Sequence, residues 1–140
     1  MMRPTPRQAL AACATLVLLG ASLPWVLRAG TPAPSGVSRT VLLRQDSSIA
    51  GREAILLNVE LAPGAAEGRH THAAEAYGFV LEGNPTLEKD GSAPVTMHAG
   101  EAFVIPAGLV HEGRNPGKSK AHLAVVMLAE KGKPLTTPAP

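Results

Sequence analysis

The feature that most limits the fold of this chain is its punctuation. Between Thr40 and Leu128, turn-forming clusters recur at Pro63-Gly64, Gly83-Asn84-Pro85, Asp90-Gly91, Ala99-Gly100, Pro106-Ala107-Gly108 and Pro116-Gly117. Proline fixes φ and lacks a donor, while glycine tolerates positive φ, so each cluster ends whatever element precedes it. The stretches left between them are short and apolar, and none carries a long helical stripe. The best helical window, Glu67 to Tyr77, is broken by Gly68 and contains two histidines. Short runs at this spacing predict an all-β sandwich or barrel rather than β-α-β units. The expected strands are Thr40 to Arg44, Ala54 to Leu61, Gly68 to His72, Ala76 to Leu81, Thr86 to Lys89, Val95 to His98, Ala102 to Ile105, Glu112 to Asn115 and Ala121 to Leu128.

The ends of the chain are of a different character. Arg3 and Arg7 precede residues 9–27, nineteen positions without a charge. A positive start followed by an apolar run has the layout of a secretory signal, and it is also about long enough to span a membrane. Residues 1–29 are therefore read as a signal peptide or an inner-membrane anchor, built as a hydrophobic helix, and the protein is placed in the periplasm or outside the cell. Residues 30–38 (GTPAPSGVS) have linker composition, residues 39–130 form one domain, and residues 131–140, with three prolines, are an extended and largely exposed tail. With Arg3, Arg7 and Arg28 set aside, ten basic residues face eleven acidic ones. The domain is near neutral and gives no electrostatic reason to expect nucleic acid, and its contact with a membrane runs only through the N-terminal segment. Cys13 is the only cysteine and lies in the apolar run, so the domain carries no intrachain disulfide.

The chemistry lies with histidine. Side chains two apart on a strand share a face, so His70 and His72 point the same way. Such a pair alone is commonplace on exposed strands. His111 follows 39 residues after His72, directly behind the rigid Pro106-Ala107-Gly108 turn, and hairpins between the two would return it to the pair. Of the remaining histidines, His98 is expected at a surface strand end and His122 at a strand mouth. Glu112 should face away from His111, and Arg69 could pair with Glu67.

On these residues the chain resembles the cupin family of small β-barrels. The family's second motif is matched at every fixed position by Gly100, Pro106, Gly108, His111 and Asn115, and most of the first by Gly64, His70, His72 and Gly83. Sixteen residues separate Gly83 from Gly100, a spacing suited to a single-domain cupin, the double-stranded β-helix or jelly-roll barrel. The resemblance implies a metal held by these histidines, and activities such as dioxygenase, isomerase or decarboxylase, or binding and sensing without turnover.

One position departs from the pattern. The family's glutamate ligand should stand at position 76, where this chain has Ala76, and Glu75 comes one residue early. On an uninterrupted strand Glu75 faces away from the histidines; a turn at Ala73-Ala74 would bring it back as a fourth ligand. The metal set is thus His70, His72 and His111, with Glu75 as the candidate addition. Three neutral imidazoles suit a divalent transition metal, with iron, manganese, zinc, nickel and copper all open, and a small oxygen-rich organic ligand at the free positions. Ala76, Gly78 and Val80 share the histidine face and are small enough to leave a cavity. Tyr77, Phe79 and Leu81 fall on the opposite face, where they complete a core under a second sheet or form the surface of a homodimer.

Overall fold

The computed structural model describes residues 36–140. The expected export helix and most of the linker lie outside the described residues. Within them ten strands run in chain order: β1 Val37–Asp46, β2 Arg52–Leu61, β3 His70–Thr71, β4 Ala74–Glu82, β5 Thr86–Lys89, β6 Val95–Thr96, β7 Ala102–Ile105, β8 His111–Arg114, β9 Ala121–Glu130 and β10 Thr137–Pro138. They form two five-stranded antiparallel sheets, ordered β1-β2-β9-β4-β7 and β10-β3-β8-β5-β6. The all-β expectation holds. Most strand ends shift by one to three residues, and both ends of the domain extend: β1 begins inside the stretch read as linker, because Val37 pairs with Leu61, and the tail contributes β10, paired with β3 through Thr137 and Thr71. Pro138 lacks an N–H but stands in an edge strand, the position a sheet tolerates.

Alternation of side chains builds the core from the first sheet. Ile55, Leu57, Val59 and Leu61 of β2 are buried, as are Leu123, Val125 and Met127 of β9, while the residues between them are more exposed. This is the period-two pattern of strands with one face covered. Leu87, Met97 and Ile105 join the same cluster. The outer face of this sheet is also apolar in part. Leu43, Leu56, Val126, Tyr77 and Val104 stand in one row across all five strands, and Phe79 and Leu81 lie beside it, both exposed. Among the described residues, Tyr77, Phe79 and Leu81 therefore lie under no second sheet.

Glycine decides one internal contact. Gly78 lies on the buried face of β4 opposite Phe103 of β7, and a Cβ there would sit 2.0 Å from the Phe103 ring. The phenyl ring thus lies directly on the main chain. Of the small residues expected to leave a cavity, Ala76 lines one, whereas the space over Gly78 is taken by Phe103.

The end of β8 is tied down by Asn115, which is almost wholly buried. Its Nδ2 donates to the carbonyls of Leu61 (3.0 Å), Ala62 (3.2 Å) and Ser119 (2.8 Å), and its Oδ1 accepts from the Gly117 N–H at 3.1 Å. Its main chain adds two bonds, to Gly64 and Ala65, both 2.8 Å. One side chain thus joins the end of β2, the loop before β3 and the turn after β8. Asn115→Ala would remove all three of these donor bonds, although the Ala62 carbonyl keeps a second donor in the Ala65 N–H at 3.0 Å. Since each buried group left without a partner costs about 1–3 kcal/mol, the variant should lose at least about 2 kcal/mol, read as a lower urea midpoint at unchanged slope.

Candidate metal centre

The second sheet places the histidines. His70 of β3 stands directly opposite His111 of β8, and His72 lies two residues on, past a half-buried Thr71, so it keeps the same inward face. The Pro106-Ala107-Gly108 turn fastens this arrangement: the Gly108 N–H donates to the His72 carbonyl at 2.9 Å, and the Leu109 N–H closes the turn on Pro106 at 3.2 Å. All three rings are buried, with centroids 4.3, 4.7 and 4.8 Å apart. One nitrogen from each falls within 4.8 Å of the others, the one such cluster among the described residues.

Each ring is also held from behind. His70 Nδ1 bonds to the Gly68 carbonyl at 2.7 Å, His72 Nδ1 to the Leu135 carbonyl at 2.8 Å, and His111 Nδ1 to the Leu109 carbonyl at 2.9 Å. A carbonyl only accepts, so Nδ1 carries the proton in all three and Nε2 keeps its lone pair. This is the tautomer that binds metal through Nε2, and outer-nitrogen bonds of this kind orient ligand histidines. Burial adds to the effect. It is the largest influence on His72, pushing its pKa down to about 4, with His111 and His70 as further lowering charges and the Leu135 carbonyl opposing. Burial lowers His111 as well, against the Leu109 carbonyl and the Glu67 carboxylate. These two rings stay neutral, and so available as ligands, through neutral pH.

Glu75 does not join them. Its neighbours Ala74 and Ala76 are buried and it is exposed, on the outer face of β4, where its Oε2 accepts from the Tyr77 hydroxyl at 2.6 Å. The chain passes from the second sheet to the first at Ala73 without a change of side-chain parity, so the turn that would have returned Glu75 to the histidine side is absent. Ala76 faces the interior, as the motif spacing requires, and has no donor to offer.

The carboxylate beside the site is Glu67, which the motif spacing did not single out. It lines the same cavity as His72 and His111. Its Oε1 meets Arg39 Nη2 at 2.6 Å and its Oε2 accepts from the Gly113 N–H at 3.2 Å. A Cβ at Gly113 would lie 2.5 Å from that oxygen, so the glycine is what makes room. A glycine inside the short strand β8 was the available signal, because such a residue often marks a close approach. The expected partner of Glu67, Arg69, instead reaches Asp90 at 2.7 Å and the Pro140 carbonyl at 2.8 Å. Leu135 was missed for a different reason: it acts through its main chain, from a segment read only as tail.

The other expectations fare better. His98 is exposed, as expected, but lies two residues beyond β6, before the Ala99-Gly100 turn. His122 shares a face with Ala124 and Val126, but that face points outward, and its ring bonds to Asn58. Glu112 faces away from His111 and caps the loop, accepting from the Gly68 N–H at 2.9 Å.

With this geometry in hand, comparison with known proteins is decisive on family. The family model described as a cupin domain matches residues 57–127. The chain belongs to the cupin family. Germin-like protein subfamily T member 2 of Arabidopsis thaliana is 43% identical over 72 residues, covering 47% of this cupin and 32% of the relative. A solved oxalate oxidase in complex with glycolate superposes with a TM-score of 0.61 at 27% identity, over 76% of this chain and 57% of that one. A double-stranded β-helix protein of Klebsiella pneumoniae gives 0.62 at 17% identity, over 76% and 90%, a likeness of fold. This cupin spans about a third of the germin-like relative's length and little more than half of the oxalate oxidase.

The donor set fits the divalent transition ion that the family implies. Three imidazole nitrogens, oriented by carbonyls and free of carboxylate, suit a divalent transition ion better than a hard ion that needs an oxygen cage. Protonation of the metal-free protein follows the same geometry. His72 has a folded pKa near 4 against 6.5 in the free side chain, so between those values the unfolded chain binds a proton that the folded chain excludes. Stability of the metal-free protein should therefore fall as pH drops from about 6.5 toward 4, with this contribution flat above that window, and His72→Gln should flatten the slope in urea melts.

Proposed function

We propose that this protein is an exported single-domain cupin that holds one divalent transition ion on His70, His72 and His111 and receives a small oxygen-bearing organic molecule at the ion's open positions. The observation that carries this reading is the set of three Nδ1–carbonyl bonds, which leave Nε2 of each buried ring with its lone pair, in a cluster where one nitrogen of each ring lies within 4.8 Å of the others. A bound ion would act there as a Lewis acid or as a site of oxygen activation. The protein's own contribution is to hold the rings, exclude water with an aliphatic wall, and keep Glu67 beside the centre under the control of Arg39. That the oxalate oxidase neighbours carry glycolate, a small oxygen-rich acid, agrees with a ligand of this general kind. Export rests on the N-terminal residues 1–29, which direct the domain to the periplasm or beyond, or hold it at the inner membrane if they stay attached.

Turnover, of the dioxygenase, isomerase or decarboxylase type, and binding without turnover remain separate readings of the same site. The second is favoured by one observation: Glu67, the only carboxylate on the cavity wall, is already engaged by Arg39 and Gly113.

Metal analysis decides the core of the proposal. The purified protein should carry about one transition ion per chain, and the His70→Ala/His111→Ala variant should carry none; equal metal in both would end it. Oxygen uptake by the iron-loaded protein over a panel of diketones, flavonols and thiols then separates turnover from binding. The apolar row of Leu43, Val126, Tyr77 and Val104 is the surface we assign to a second copy of the chain, since contiguous exposed apolar patches commonly mark association sites. Sedimentation should give a dimer at micromolar concentration, and Tyr77→Lys/Val126→Lys a monomer.

A further inference from the structure

The wall of the cavity constrains what can enter it. The cavity that His72 and His111 line is about 210 Å³. Its polar side chains other than histidine are Arg39, Glu67, Thr86 and Thr136, and each already has a partner. Arg39 and Glu67 bond to each other, Thr86 Oγ1 to Thr96 Oγ1 at 3.1 Å, and Thr136 Oγ1 approaches His72 Nδ1 at 3.4 Å. The remaining lining is hydrocarbon from both sheets, including Leu57, Val125 and Met127 on one side, Leu87 on the other, and Phe103 and Leu135 at the margins. Polar groups are thus few on this wall, and those with most capacity left are the His72 and His111 imidazoles and the Arg39 guanidinium, which gives Glu67 one of its N–H groups.

Such a wall discriminates by body rather than by head. A molecule that is polar all over would lose its hydration along the aliphatic wall without finding donors or acceptors there, which is costly. An apolar body meets no such cost. A dry cavity of about 150 Å³ lined by comparable side chains accommodates benzene, so this somewhat larger one has room for a six-membered ring and a compact polar group.

We propose that the ligand is a small molecule with an apolar body about the size of a six-membered ring and a single anionic oxygen head. The head meets the ion and the body fills the space between the sheets. This rests on the reading that the three histidines hold an ion, and it separates this cupin from a site for a two-carbon acid, which would leave most of the hydrocarbon wall unmatched.

The test compares bodies at a constant head. The full-length protein is loaded with cobalt(II), its metal content is measured, and acetate, glycolate, benzoate and cyclohexanecarboxylate are titrated by calorimetry and by the visible cobalt bands. Benzoate and cyclohexanecarboxylate should bind at least tenfold more tightly than acetate. Val125→Phe, which fills the cavity from β9, should abolish that preference, with measured cobalt content as the control for an intact metal site; Leu87→Phe, from the facing sheet, should do the same and serves where the first variant does not fold. Cobalt retained with equal affinity for all four acids, or with glycolate bound most tightly, would overturn this inference and leave the metal site standing. Failure to retain cobalt would overturn both.

Discussion

Three hydrogen bonds from imidazole to main-chain carbonyl are what the rest of this structure serves. A histidine can present either nitrogen, and a ring free to turn would bind an ion weakly and without a fixed geometry. Here the outer nitrogen of each is committed to a carbonyl, of Gly68, Leu109 or Leu135, so the inner one is left as an acceptor by elimination. The barrel holds those carbonyls in place. Gly108 bonds to the His72 main chain, and Asn115 locks the loop that leads toward His70 to the turn behind β8. Burial then keeps protons away from the His72 and His111 rings, whose ordinary pKa would leave them partly charged in mildly acidic surroundings.

The two sheets divide the labour. The sheet of β3, β8 and β5 carries the nitrogen donors, and the sheet of β2, β9 and β4 supplies the hydrocarbon wall facing them. Arg39 and Glu67 connect the two. Arg39 projects from β1 at the edge of the first sheet, while Glu67 belongs to the loop that hydrogen-bonds to Gly113 of the second. A partly exposed ion pair of this sort contributes modestly to stability. Its larger effect is positional, since it fixes a negative charge beside His111 where the family's usual ligand glutamate is missing.

How much of this was legible in the chain follows from where each piece of information resides. Turns are written in residue types, so β5 and β7 were placed residue for residue and the Pro106–Gly108 turn pointed His111 toward the pair. Period two was legible for the same reason: it put His70 and His72 on one face and, read straight through, put Glu75 on the other. The alternative, a parity reset at Ala73-Ala74, was an appeal to geometry that residue types do not record. Arg39 and Glu67 lie 28 positions apart, and their meeting depends on the register of β1 against β2. Leu135 left no trace at all, because a carbonyl oxygen is common to every residue and only the fold says which one a ring will find.

The dependence of His72 on Leu135 has a temporal side. A polypeptide emerging from its N-terminus can bring His70 and His111 together once β8 has formed, but the third imidazole stays unanchored until the strand-forming residues past β9 have followed. The set of three oriented rings is thus completed only once the segment that follows β9 has been made. Lifting that segment away would free the His72 ring to turn and would strip the edge strand β10 from the sheet that carries His70.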